Sequence, residues 1–198
     1  MNLLDIPGYR EALEAEADSR AAAFLAIPYF ICGVEIHVLT PRLELILDQA
    51  RSPFFHGGSI RPEHIAQFLW ILSPRFSRDP KARARFVKKV CAPLPYQPAV
   101  DAINAYLVDM YADAPPAPVE RPGCFRPSYW SIAADLVDNF ATEYGWTVDI
   151  SLNLSYPIIW QLVNRQRWRC NPDAIFINPS DKVRRLGLPE QNQKKATS

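Results

Sequence analysis

Prolines are the sequence feature that most restricts how this chain can fold. The chain has 19 prolines in 198 residues, about twice the average usage of roughly 5%. In Thr40-Pro41 and Asp79-Pro80 a proline follows a side chain that can cap a helix, and proline is well tolerated at the first position of a helix. Inside a helix it removes a hydrogen bond and clashes with the preceding turn. We therefore interpret the prolines as helix boundaries rather than as a sign of disorder.

Between the prolines, apolar residues recur with helical spacing. The segment that Pro62 opens has apolar residues at i, i+3, i+4 and i+7 across residues 65–72. Because Trp70 and Ile71 are apolar as well, this helix is apolar nearly all round. Such a helix lies either at the centre of a core or at an interface.

Further stripes predict the rest of the fold. Amphipathic helices are expected over residues 9–25, 41–50, 80–91, 100–110, 128–144 and 157–163. Residues 30–39 alternate between apolar and polar, and Cys32-Gly33 can turn a small hairpin. Residues 147–154 are compatible with a strand or with the lead-in to a helix. The predicted fold class is mainly α, an irregular multi-helix bundle with at most a small β-hairpin.

Two stretches are predicted to lie outside regular structure. Residues 52–59, with the sequence SPFFHGGS, are expected to form a loop, and the proline-rich residues 114–127 cannot be helical. The latter divide the chain into an N-terminal helical lobe at 1–114, a connection at 115–127 and a C-terminal lobe at 128–198 whose basic tail is partly disordered. A single core shared by both lobes is the alternative.

Composition restricts the compartment and the class of partner. The formal net charge is +1, with 48% hydrophobic and 22% charged residues, so no global electrostatic attraction to nucleic acid or anionic membrane is expected. The longest uncharged apolar run, residues 21–34, is interrupted by Pro28 and Gly33 and is too short to span a bilayer. The four cysteines form no C-x-x-C pair, and no secretory signal precedes them. We expect a cytoplasmic protein that does not act at a membrane.

No catalytic or metal-binding constellation can be identified in the sequence. The three histidines, His37, His56 and His64, have no closely spaced cysteine or histidine partner of the kind that zinc sites use. A Cys–His pair formed in space stays open as an alternative. The HGGS sequence at 56–59 fits neither the GxxxxGK[ST] motif nor the GxGxxG motif, both of which bind phosphate groups. We interpret it as a turn. We expect a non-enzymatic protein with no cofactor and no metal.

A C-terminal basic patch has two interpretations. It comprises Arg165, Arg167, Arg169, Arg184 and Arg185, and Trp168 lies within it in the sequence RQRWR. Arginines around an aromatic ring are typical of a stacking platform for single-stranded nucleic acid. They are equally typical of a helix that carries charge for solubility. The basic face at residues 81–89 has the same two interpretations, and with a net charge near zero we do not expect nucleic-acid binding.

Two blocks of sequence carry a family resemblance. One runs from LTPRLELILDQARSPFFHGG at 39–58 into IAQFLWILSPRF at 65–76, and the other is WQLVNRQRWRCNPDAIFINPSDK at 160–182. Together they resemble small helical proteins of tailed bacteriophages and prophages known as tail assembly chaperones. The resemblance implies a non-enzymatic factor in the host cytoplasm that binds other tail proteins. Its partner would be the tape-measure protein, whose amphipathic helices it would cover before the tail tube polymerises. The resemblance assigns no catalytic residue to this chain.

Seven large aromatic residues are the candidates for binding such a partner. They are Phe54, Phe55, Trp70, Phe76, Trp130, Trp160 and Trp168. Packing in the core is the alternative for each of them. A structural component of the particle, such as a head–tail or tail-tube adaptor, is the alternative function, and a nucleic-acid-binding or enzymatic prophage protein is a third.

Overall fold

Helices make up most of the part of the chain that a computed structural model describes, namely residues 23–25, 28–115 and 132–170. Strands β1 (Tyr29–Ile31) and β2 (Val34–Ile36) pair antiparallel. Eight helices follow: α1 (Pro41–Gln49), α2 (Pro53–His56), α3 (Pro62–Leu72), α4 (Pro80–Phe86, continued by a π-helical turn, Val87–Cys91), α5 (Tyr96–Tyr111), α6 (Ile132–Tyr144), α7 (Val148–Asn153) and α8 (Tyr156–Cys170). The prediction of a mainly α bundle with a small hairpin is confirmed.

The hairpin turns at the two residues that the sequence indicated. Cys32 and Gly33 have positive φ angles of 48° and 79°, as both central residues of a two-residue type I′ turn require. Tyr29 pairs with Ile36, and Ile31 with Val34. Ile31, Val34 and Ile36 are buried, so one face of the hairpin joins the core.

Prolines begin the first four helices, α1 to α4. Thr40 caps α1 by accepting a hydrogen bond from the Leu43 N–H at 3.3 Å, and Asp79 caps α4 by accepting one from the Lys81 N–H at 2.9 Å. Each cap gives an acceptor to a backbone N–H that has none within the helix. Proline lacks an N–H, but at the first helical position that N–H would have no intrahelical acceptor. The interpretation of the prolines as helix boundaries is confirmed at these sites.

The loop predicted over residues 52–59 contains a single turn of helix, α2. Pro53 restricts φ to a helical value at the first position, and the His56 N–H then bonds the Ser52 carbonyl at 3.1 Å. Gly57, with φ of 74°, ends the turn. The prediction of a loop throughout residues 52–59 was wrong because Pro53, four residues before Gly57, starts a helical turn.

Helix α3 lies at the centre of the core. Seven of its eleven residues are buried: Ile65, Ala66, Phe68, Leu69, Trp70, Ile71 and Leu72. Leu136 and Phe140 of α6 and Tyr156, Ile159 and Trp160 of α8 belong to the same hydrophobic cluster. The helices before and after residues 116–131 therefore share one core.

The chain divides into two compact units. One is Ile27–Val163, and the other combines residues 1–26 with 164–198. The second unit is described only at a 3-10 turn, Ala23–Leu25, and at the last residues of α8. The rest of the helix predicted at 9–25, most of the proline-rich connection and the C-terminal tail lie outside the described residues.

The helix predicted over residues 80–91 changes its winding halfway. After Phe86 it continues as a π-helical turn, in which the Ala92 N–H bonds the Val87 carbonyl five residues back at 2.9 Å. Phe86 is buried, while Val87 and Val90 are half-buried. The turn shifts the side chains that follow Phe86 relative to a regular α-helix.

Candidate functional site

An apolar groove of about 760 Å³ lies between helices α1, α3 and α4 in the unit Ile27–Val163. Thirteen residues line it: Ile46, Gln67, Trp70, Ile71, Phe76, Ser77, Arg78, Asp79, Pro80, Arg83, Ala84, Val87 and Lys88. We call this feature the α3–α4 groove.

Buried aromatic packing makes the floor of the groove rigid. Trp70 and Ile71 are each 4% exposed. The Trp70 ring packs on Phe86 with centroids 5.2 Å apart and against Phe76 edge to face at 6.0 Å. Phe76 keeps 38% of its surface exposed. Since the floor residues also belong to the core, the groove is formed by the folded domain itself.

One face of α4 forms a wall of the groove. Its lining residues Pro80, Arg83, Ala84, Val87 and Lys88 follow the spacing i, i+3, i+4, i+7 and i+8 of a single helical face. The last two belong to the π-helical turn. Such turns are rare and often occur at functional sites. The change of winding therefore affects the side chains that border the groove.

Positive charge is concentrated on the wall of the groove that residues 75–89 form. Residues 75–89 contain a single carboxylate, Asp79, against seven exposed cations: Arg75, Arg78, Lys81, Arg83, Arg85, Lys88 and Lys89. Among the described residues, no ion pair joins any of the seven to a carboxylate. Asp79 is engaged by the Lys81 N–H. The charge is therefore not neutralised by the described part of the fold.

A second group of polar side chains surrounds helix α5. The Glu44 Oε2 atom of α1 accepts hydrogen bonds from the Tyr111 hydroxyl at 2.9 Å and from the Tyr156 hydroxyl. Tyr106 donates to the His37 carbonyl at 2.9 Å, and Tyr29 donates to Asp109 at 2.6 Å. We call Tyr29, Tyr106, Tyr111 and Tyr156 the core tyrosines.

The core tyrosines act as neutral hydrogen-bond donors. Burial raises the pKa of each phenol above its ordinary value, and the charge of Glu44 raises the pKa of Tyr111 and Tyr156 further. A protonated hydroxyl with a carboxylate or carbonyl acceptor is neither a base nor a nucleophile at neutral pH. This group therefore connects α1, α5 and α8 and the hairpin, and we assign it a structural role.

Two of the aromatic residues predicted to bind a partner line the α3–α4 groove. They are Trp70 and Phe76. Phe54 and Phe55 are half-buried on α2, and Phe54 packs on Phe68 with centroids 5.1 Å apart. Neither lines the groove.

The other predicted aromatic residues lie elsewhere. Trp160 is buried, its indole N–H donates to the Met110 carbonyl at 3.0 Å, and its ring stacks on Tyr156 at 5.1 Å. Trp168 is exposed near the end of α8, under the Arg165 guanidinium at 4.4 Å. Trp130 is outside the described residues.

The C-terminal basic patch is described only in part. Arg165, Arg167 and Arg169 lie on α8, with Arg167 half-buried and the other two exposed. Arg165 contributes a cation–π contact to Trp168. Arg184 and Arg185 lie outside the described residues.

The residues that sequence reasoning missed are those that complete the groove. Ile46 and Ile71 contribute to its apolar surface, and Arg78, Arg83 and Lys88 are its lining cations. The α4 face was recognisable from its spacing, but its cations had two interpretations, a nucleic-acid contact or a solvated surface, and neither of them was a groove. Nothing in the sequence indicated that Ile46, more than thirty residues earlier, lies opposite this face.

Cysteine and histidine chemistry gives no centre in the described part of the chain. No group of three or more metal-ligating side chains occurs there that could hold an ion. Burial raises the pKa of the Cys91 thiol to about 11, so it is protonated at neutral pH. His56 pairs with Asp48 at 2.9 Å, and His64 Nδ1 accepts from the Arg61 N–H at 3.1 Å.

No described helix is both long enough and apolar enough to cross a bilayer.

Comparison with known proteins gives no relative. No protein-family model, curated protein or solved structure matches the chain. The functional conclusion therefore depends on the groove and on the residues that surround it.

Proposed function

We propose that the protein acts by binding another protein and that the α3–α4 groove holds an amphipathic helix of that partner. The observation that carries this proposal is the groove itself, about 760 Å³, in which Ile46, Phe76 and Val87 present apolar surface beside the buried Trp70 and Ile71. Helix-in-groove recognition places the apolar face of one helix into an apolar channel of another protein. A channel formed by the core of its own domain needs little reorganisation on binding, which favours affinity.

The finer proposal is a role in phage tail assembly. The sequence block that resembles tail assembly chaperones, at 39–58 and 65–76, includes Ile46, Gln67, Trp70, Ile71 and Phe76 of the groove. On this proposal the partner is a tape-measure protein in the host cytoplasm. Covering the apolar stripe of its helices prevents their aggregation until the tube polymerises around them.

A variant that fills the groove tests both the proposed helix binding and the proposed role in tail assembly. Ala84 is exposed and lines the groove, so Ala84→Trp fills the groove without removing core atoms. Ala141 is an exposed alanine within α6 that does not line the groove. Ala141→Trp is therefore the matched control for an added indole on a helix.

The experiment is a pull-down of the tagged protein from cells that produce the parent phage, read by mass spectrometry. We expect the native chain and Ala141→Trp to recover the tape-measure protein, Ala84→Trp to lose it, and finished particles to lack the bait. Bait retained in particles together with head or tube proteins would identify a structural component instead. Recovery of no phage protein would remove the tail-assembly proposal.

A further inference from the structure

We infer that the segment held by the α3–α4 groove is an acidic amphipathic helix, with carboxylates on both sides of its apolar stripe. This inference rests on the proposed function and adds the chemistry that selects the partner.

The charge around the groove is complementary to carboxylates. Its lining contains three cations, Arg78, Arg83 and Lys88, and one carboxylate, Asp79. Asp79 already accepts a hydrogen bond from the Lys81 N–H that caps α4. None of the three cations has a carboxylate partner among the described residues. An acidic occupant would supply the partners that the described fold does not.

The positions of the cations define the pattern of the occupant. Arg83 and Lys88 are five residues apart, and the small apolar residues Ala84 and Val87 lie between them on the same face of α4. Arg78 lies before the start of α4. Cations therefore border an apolar strip at both ends. A helix that matches this surface has an apolar stripe with carboxylates beside it.

The same features argue against a nucleic acid as occupant. Base stacking uses accessible aromatic faces, but Trp70 is 4% exposed and packs against Phe76 and Phe86. Phe76 is then the one aromatic ring of the groove lining that keeps an exposed surface. A phosphate backbone would leave the apolar floor of the groove without a partner. A membrane surface is disfavoured because interfacial binding needs apolar side chains that project into the bilayer, and these residues line a concavity.

The test uses a designed probe and two matched charge variants of the full chain. The probe is a fluorescein-labelled helical peptide of about five turns, with one leucine stripe and glutamates beside it. Two further peptides carry glutamine or lysine in place of the glutamates. The groove variant is Arg78→Gln/Arg83→Gln/Lys88→Gln. The control, Lys81→Gln/Arg85→Gln/Lys89→Gln, removes three exposed cations of the same segment that do not line the groove.

We expect the glutamate peptide to bind the native chain most tightly and the lysine peptide least. The groove variant should lose about tenfold in affinity for the glutamate peptide, since each exposed ion pair contributes only a few-fold. The control variant should lose about threefold or less, because its cations act only through screened, longer-range attraction. Anisotropy titrations measure the affinities, and thermal midpoints verify that both variants fold.

The other outcomes separate this inference from the proposed function. Equal affinity for the three peptides, abolished by Ala84→Trp, would overturn the acidic partner and leave the groove as a helix-binding site. Equal losses in the two charge variants would also overturn it, because the effect would then be non-local. If no peptide bound, the proposed function would fall with it. Tighter binding of labelled duplex DNA, lost in the groove variant, would assign the cations to nucleic acid.

Discussion

Replacing Glu44 by alanine removes one acceptor on which two tyrosine hydroxyls depend. Glu44 Oε2 accepts from both Tyr111 and Tyr156, and these contacts join helix α1 to α5 and α8. Tyr156 is fully buried, so water cannot replace the lost acceptor. Tyr111 is only half-buried and keeps partial access to solvent.

The expected loss follows from these burials. A buried donor left without an acceptor costs about 1–3 kcal/mol, and the half-buried hydroxyl of Tyr111 costs less. We expect Glu44→Ala to lower the free energy of unfolding by about 2–3 kcal/mol in total. For a chain of this size that corresponds to a fall of roughly 4–12 °C in the thermal midpoint.

Glu63→Ala is the matched control. Glu63 also lies in the first turn of a helix, α3, but its side chain is 64% exposed and its nearest cation, Arg61, is 3.8 Å away. Both substitutions remove a carboxylate near a helix N-terminus, so the effect on the helix dipole is similar. We expect Glu63→Ala to lower stability by about 0.5 kcal/mol or less. The difference between the two variants isolates the tyrosine contacts.

Urea unfolding followed by far-ultraviolet circular dichroism measures both variants and completes a double-mutant cycle with Tyr156→Phe. In the native background Tyr156→Phe removes a charge-assisted hydrogen bond and should cost about 1.5–3 kcal/mol. In the Glu44→Ala background it should cost almost nothing. Equal losses for Glu44→Ala and Glu63→Ala, or additive losses in the cycle, would refute the structural role assigned to Glu44.

Three further predictions follow from the described residues. With the other cysteines replaced by serine, Cys91 should react with iodoacetamide at a rate that rises about tenfold per pH unit towards its pKa of about 11; a plateau near pH 8.5 would contradict its burial. The core tyrosines have folded pKa values raised above the unfolded value of about 10. Their contribution to stability is therefore complete below pH 10 and lost above it, and urea midpoints that stay level beyond pH 10 would show these phenols to be accessible. Gly33→Ala should lower stability by about 1–2 kcal/mol. The φ angle of Gly33 is 79° and an added Cβ meets no atom within 4 Å, so only the backbone conformation opposes the substitution. An unchanged urea midpoint would disprove the type I′ turn.

Local signals made most of the fold predictable. Thr40-Pro41 and Asp79-Pro80 marked helix starts through chemistry confined to a few residues, and the Cys32-Gly33 pair marked the hairpin. The apolar spacing after Pro62 predicted a helix that proved to be the centre of the core. Each of these signals acts within one or two turns of chain, where propensity and periodicity are informative.

The groove depends on contacts that no local signal encodes. Ile46, Trp70 and Val87 lie on three different helices, and their proximity follows from how those helices pack. For the same reason, sequence reasoning predicted both Trp70 and Trp160 as partner-binding residues and could not distinguish them. Trp70 lines the groove, whereas the indole of Trp160 is directed to the Met110 carbonyl inside the core. The winding change at Val87 is likewise a consequence of packing that helical periodicity does not reveal.

Site-specific photo-crosslinking tests the central claim that the α3–α4 groove holds a partner helix. A photoreactive phenylalanine analogue is introduced in place of Phe76, which lines the groove and is 38% exposed, or at Val108, which is exposed on α5 and does not line the groove. On the proposed tail-assembly role, the experiment is done in cells that produce the corresponding phage, and we predict that position 76 crosslinks to a tape-measure segment with an apolar stripe beside carboxylates. Position 108 should give no such product. Equal crosslinking at both positions, or crosslinks at position 108 alone, would contradict the assignment of the groove as the binding site.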